Sequence, residues 1–169
     1  MTISKTPFSV VALGYVLSPD RDHALLLYHN AKPNDPSYGK FNGLSGPVSP
    51  TESVFEAMNR IVREETGAIP THLRYRGNVH WSRFGQSQES VLGNIFLIEG
   101  LDRNPPLKNT PNGQLHWIRI DEMLNGDRPI WAGDEHFLPL VFDLDPRPFH
   151  GFMPYEHGVP RSWSFDRTL

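Results

Sequence analysis

One segment, residues 46–67, constrains this chain more than any other. Its spacing predicts a helix over 50–66: Ser49 suits the N-cap, Pro50 the first helical position and Gly67 the residue just past the end. Wound at about 100° per residue, Val54, Ala57, Met58, Ile61 and Val62 gather into one apolar stripe, so the helix must lie against a core. Glu65 falls near the middle of that stripe and Glu64 on its shoulder, and a carboxylate facing a core is costly unless something pairs it. Both also stand in the last turn, where free carbonyls already make the field negative. A divalent cation on hard oxygen ligands resolves both oddities, since Mg²⁺ takes a few carboxylates and fills its shell with water and phosphate oxygens. Ion pairs with Arg60 and Arg63, or reach to solvent, would also resolve them. Glu52 has two readings as well, a carboxylate of the same site or the return arm of a capping box begun by Ser49.

Composition narrows the chemistry. The 169 residues include no cysteine, which excludes a disulfide scaffold, a Cys-ligated metal and a thiol nucleophile. A formal charge of −3 gives no basic stripe for polymeric nucleic acid or an anionic membrane. The longest apolar run, 8–17, is about half of what a membrane span needs and is preceded only by Lys5 as a charge, so it reads as a strand and not a leader. A cytoplasmic location is expected, with no membrane partner.

Along the chain, 8–17 and 24–28 read as strands around a turn, 30–40 as a long polar loop, and 41–48 as a short extended piece. After the helix, 73–84, 91–99 and 115–120 are strand-like, 121–124 a turn of helix, 135–144 a helix interrupted by Pro139, and 149–155 with 162–165 a terminal hairpin. Strands before and after one strong helix make a single mixed α/β domain over 1–169. Taken alone, Asn42 before Gly43 fits a turn, Trp131 fits a core and Asp134 fits a helix cap.

Gly46, Glu52, Arg60, Glu64, Glu65 and Gly67 stand in the register Gly-x5-Glu-x7-Arg-Glu-U-x-Glu-Glu-x-Gly-U, with U bulky and apolar and Val62 at its first place. The segment resembles the Nudix box of the Nudix hydrolases, and six of the seven fixed letters match. Residues 25–30, 32–35 and 39–44, then 131–134, 137–140 and 149–151, look like the bacterial branch similar to 8-oxo-dGTP diphosphatases of MutT type.

The resemblance implies an α/β/α sandwich around a mixed β-sheet with one central catalytic-type helix. It also implies a diphosphatase that hydrolyses a nucleoside di- or triphosphate or derivative, oxidised purine dNTPs among them, with Mg-activated water. By it, Ser45 (through its carbonyl), Glu64 and Glu65 hold Mg or Mn, Glu52 contributes directly or through water, and Arg60 orients Glu52. Asn42 bonds a purine edge, Trp131 stacks on the base and Asp134 bonds it. The partner is a small-molecule nucleotide, the protein a monomer or homodimer.

Two letters depart from that pattern. Ile61 stands where the resemblance places a metal-binding, water-activating Glu, and Asn112 stands where a second acid is expected ahead of Trp117. Losing a general base costs a hydrolase about 10²–10⁴ in rate. A ligand-binding protein on the same scaffold is therefore the alternative, and Glu89 is a candidate replacement base.

Overall fold

A computed structural model describes residues 8–167; Lys5 and the outer limits of the 1–169 domain lie outside them. In chain order the elements are β1 (Phe8–Leu17), β2 (His23–Tyr28), β3 (Phe41–Asn42), β4 (Leu44–Pro47), α1 (Val54–Thr66), β5 (Leu73–Phe84), β6 (Glu89–Ile98), β7 (Asn109–Thr110), β8 (Gly113–Arg119), α2 (Ile120–Leu124), α3 (Asp134–Phe142), β9 (Phe149–Glu156), β10 (Val159–Pro160) and β11 (Ser164–Arg167). The sheet runs β10-β9-β5-β6-β1-β2-β8-β7, with β3 on β2, β4 on β1 and β11 on β9. It is mixed: β1 pairs with β6 in parallel, as does β5 with β9, and the other pairs are antiparallel.

β1 is apolar almost throughout because both its faces are covered. Ala12 and Val16 join Ala57, Met58, Ile61 and Val62 of α1, whereas Leu13, Tyr15 and Leu17 join Phe137, Leu138 and Val141 of α3. The sheet is thus the middle layer of an α/β/α sandwich, as the sequence implied. Gly14 breaks the run for a steric reason: a Cβ there would stand 2.7 Å from the Met58 sulfur, so glycine lets α1 lie close on the sheet.

The central helix starts later than its sequence suggests. Ser53 is the N-cap, and the capping box is made by Ser53 and Glu56. Ser49 and Glu52 instead form the turn before it, in which Glu52 accepts from the Ser49 amide at 2.9 Å. The chain carries two Ser-x-x-Glu words in tandem, and the Glu52–Arg60 pair decides between them. In a helix running from residue 50 these two would lie about 12 Å apart along the axis; the turn folds Glu52 back so that Arg60 grips it at 2.7 Å. The C-terminal end agrees with expectation, since Gly67 takes the left-handed conformation (φ 71°) and its amide donates to Arg63.

α3 is held at its C-terminal end by Arg76 of β5, whose side chain is fully buried. Its guanidinium donates to the carbonyls of Leu140, Val141, Asp143 and Asp145 and to the Asp143 carboxylate. A buried cation on the free carbonyls of a helix end satisfies both groups, and it fixes the helix whose first residue is Asp134.

Candidate functional site

The C-terminal turn of α1 brings Glu65 beneath the strap of residues 29–40. His29, Lys32, Asp35, Ser45, Glu65 and Asn112 share the walls of a cavity of about 270 Å³. Glu65 accepts from the Asn112 side-chain amide at 2.7 Å through Oε1, and its Oε2 is buried without a hydrogen-bond partner among the described residues, as is Nε2 of His29. Burial lowers the His29 pKa, so the ring is held toward its neutral form.

Glu64, next in sequence, faces elsewhere. It is exposed, pairs with Arg60 at 3.2 Å and borders an open groove with Phe55, Asn59 and Arg63. Arg60 is the centre of this second cluster: Nε and one terminal nitrogen grip both Glu52 oxygens, at 3.1 and 2.7 Å, and that terminal nitrogen also donates to the Pro47 carbonyl. The two-point contact and the Ser49 amide hold the Glu52 carboxyl down at about 2. Arg60 thereby ties the box loop to the helix.

Ile61 is buried and belongs to the α1 side of the core. Gly46 passes directly over it, so that a Cβ on Gly46 would lie 3.2 Å from the Ile61 side chain. Among the described residues no three His, Cys, Asp or Glu side chains converge to hold a metal ion. The orphaned Oε2 of Glu65 is the one observation that fits a cation there, because a buried carboxylate oxygen without a donor calls for a positive partner. The donor set therefore suits an ion that arrives with phosphate and water ligands of its own. Glu89 does not line this cavity; it accepts a hydrogen bond from Ser9.

Trp131, Phe84, Tyr155, Gln86 and Gln88 line a second cavity, of about 700 Å³, which meets the first at Asp35. Asp134 lies behind it, buried and joined to the Trp131 carbonyl through its amide at 3.0 Å. Burial pushes its carboxyl up to about 8; burial, helped by the Asp134 charge, raises Tyr155 to about 12 and lifts Tyr15 well above its ordinary value. Asp134 does not cap α3: the N-cap is Gly133, with no side-chain cap. Asn42 sits on β3 with its carbonyl oxygen on the Gly43 amide, a turn contact that leaves its NH₂ free of protein partners among the described residues. The Phe41 amide bonds the Pro129 carbonyl, which joins that strand to the Trp131 loop. A further cavity of about 710 Å³ near Trp117 touches none of these residues.

His29, Lys32, Asp35, Lys40 and Tyr155 were not singled out by the motif. For those within 29–40 the signals were the family resemblance of 32–35 and 39–44 and the length of the loop, because a polar loop has no periodicity that reveals which side chains turn inward; Tyr155 stood in an expected strand with nothing to set it apart.

A NUDIX domain model matches residues 8–141. An oxidized purine nucleoside triphosphate hydrolase of Danio rerio is 27% identical over 118 residues, which cover 70% of this chain and 71% of that protein. An NAD-capped RNA hydrolase, NudC, of Haemophilus influenzae is 28% identical over 69% of this chain, although the match spans only 42% of that protein. In fold, a mutator MutT protein from Bacillus halodurans superposes with a TM-score of 0.77 at 24% identity, covering 94% of this chain and 97% of that one. The NUDIX domain of Shewanella oneidensis NrtR, solved with ADP ribose, gives 0.62 at 13% identity over 82% of this chain and 87% of that one. With the family model spanning most of the chain and hydrolases among its curated relatives, this protein belongs to the NUDIX domain family of hydrolases.

Proposed function

We propose that the protein hydrolyses a phosphoanhydride bond of a small nucleotide, a purine nucleoside di- or triphosphate or a derivative with an oxidised base. The observation that carries this reading is the pair of cavities meeting at Asp35: an aromatic one around Trp131 and a polar one around Glu65. A flat base with a charged tail matches that pair in shape and chemistry. On this reading Trp131 offers the stacking surface, and Asn42 and Asp134 supply the polar groups that read the base edge. Lys32 and His29 face the tail.

Mg²⁺ or Mn²⁺, carried in with the phosphates and held by Glu65 Oε2 near Ser45, would neutralise charge and polarise the phosphorus–oxygen bond under attack. Asn112 fixes the Glu65 carboxylate through Oε1 and leaves Oε2 without a donor, free to take a cation. Arg60 holds Glu52 and Glu64, setting the loop from Ser45 to Glu52 against α1. A cytoplasmic, nucleotide-bathed setting suits this chemistry.

Binding without turnover is the second reading, and Ile61 favours it, because a buried aliphatic side chain can neither ligate nor move a proton. Phosphate release from a panel of purine nucleotides with Mg²⁺ or Mn²⁺ separates the two. Turnover by the wild type that Glu65→Gln abolishes supports hydrolysis; nucleotide uptake with no phosphate released supports binding alone.

A further inference from the structure

Lys40 ends the strap whose Asp35 lines both cavities, and its side chain reaches Trp131 of the second. Its backbone carbonyl accepts from the His29 amide at 3.0 Å, which closes the neck of the 29–40 strap and fixes the residue beside β3. Its ammonium lies 4.9 Å from the centroid of the Trp131 ring and donates to the Pro36 carbonyl at 2.8 Å. Among the described residues no carboxylate lies within ion-pair distance of it, and one acceptor leaves donors of the ammonium unspent. The cation therefore covers an aromatic face and lacks an anionic partner.

We propose that Lys40 sets the base preference of the Trp131 cavity, selecting a purine that presents a carbonyl oxygen beside N7, as guanine does, over one that presents an amino group there, as adenine does. The inference rests on the reading of that cavity as the base site. A base lying flat on the indole takes the place the ammonium holds over the ring. The tethered ammonium is then left at the edge of the base. Lysine donates and never accepts, so it meets the O6 and N7 acceptors of guanine favourably and the N6 amino group of adenine unfavourably. Asp35 lines both cavities and Asp134 is buried one turn from Trp131, its amide on the Trp131 carbonyl; neither forms an ion pair with Lys40.

The test measures binding of GMP and AMP to the full chain by calorimetry, for the wild type, Lys40→Met, Lys40→Arg and Trp131→Leu. The wild type is expected to prefer GMP, Lys40→Met to lose about tenfold of that preference by weakening GMP alone, and Lys40→Arg to keep it. An unchanged ratio in Lys40→Met, equal weakening of both nucleotides, or a wild type without preference overturns the assignment to Lys40. Trp131→Leu is expected to weaken both. If it weakens neither, or if the wild type takes up neither nucleotide, the base-site reading fails on its own account.

Discussion

Asn112 donates its side-chain amide to Glu65 at 2.7 Å, joining the loop before β8 to the last turn of α1. The contact spends one carboxylate oxygen and leaves the other buried without a hydrogen-bond partner among the described residues. Asn112→Asp would set two carboxylates against each other, and a divalent ion would relieve the repulsion. We expect this variant to melt below the wild type in EDTA and to gain more melting temperature on addition of Mg²⁺. Thermal unfolding with and without the ion checks this, and equal gains in both proteins would refute it.

Ile61 fills the space beneath Gly46. Ile61→Glu buries a charge among Ala57, Met58 and Val62 and should cost several kcal/mol, on the order of 3 or more. A Gly46→Ala methyl, 3.2 Å from Ile61, should cost about 1 kcal/mol in the wild type and less in Ile61→Val, where the neighbour is smaller. Urea unfolding of the four members of that cycle measures the coupling. Additive costs would mean that Gly46 is required by the chain's path and not by Ile61.

The strands were legible because their signals are local. β1 and β5 fall on the expected residues: β1 is apolar along its length because both its faces are covered, and β5 alternates, with Val79 and Trp81 buried between polar neighbours. The start of α1 was not, because two Ser-x-x-Glu words compete and the winner is chosen by Arg60, a contact made only when the turn folds. In the site, the burial of Glu65 beside its helix stripe was readable from the 3.6-residue period, but its separation from Glu64 was not: adjacent residues on a helix point about 100° apart, and only the neighbours decide what each one meets. Arg76 was invisible for a related reason. One of three arginines in β5, it reads as solvent-facing like Arg74 and Arg83 until the helix end that it caps is in place.

Asp134 makes stability depend on pH. Its carboxyl ordinarily titrates at 3.8, and burial moves it up to about 8. Between those values the folded chain keeps a proton that the unfolded chain has released, so stability falls as pH rises, by at most about 1.4 kcal/mol per pH unit. Asp134→Asn removes the titrating group and keeps the shape. Its melting temperature should match the wild type near pH 4 and exceed it by a growing margin up to pH 8; parallel curves would show that the carboxyl is ionised in the folded state.

Arg60→Lys keeps the charge and loses the two-point grip on Glu52. The Glu52 carboxyl, held near 2 first by the Arg60 hydrogen bonds and then by the Ser49 amide, should move back toward its ordinary 4.5. Because the folded value lies below the unfolded one, the stability drawn from this pair is present above about 4.5 and is lost as pH falls through about 2. Titration of the Glu52 side chain by NMR reads the shift directly. An unmoved value would leave the Ser49 amide as the group that matters.

Arg76 connects the core to the site through α3. With its side chain fully buried, Arg76→Met strands the last carbonyls of the helix and leaves Asp143 with Arg167 as its remaining cationic partner. Asp143 is one-third exposed and keeps Arg167, so the main cost is the stranded carbonyls, about 1–3 kcal/mol for each buried one left without a donor. Arg76→Lys keeps the charge but offers three donors from one nitrogen, where the guanidinium reaches carbonyls on residues 140, 141, 143 and 145 at once. Both variants should unfold at lower urea, and both should loosen Asp134 and Trp131, because Arg76 supplies the donors to the last carbonyls of the helix that begins at Asp134. Hydrogen exchange over residues 131–142 tests the second effect. Faster exchange there, with α1 unchanged, is the expected result; a uniform rise across the chain would mean that Arg76 contributes global stability and does not position α3.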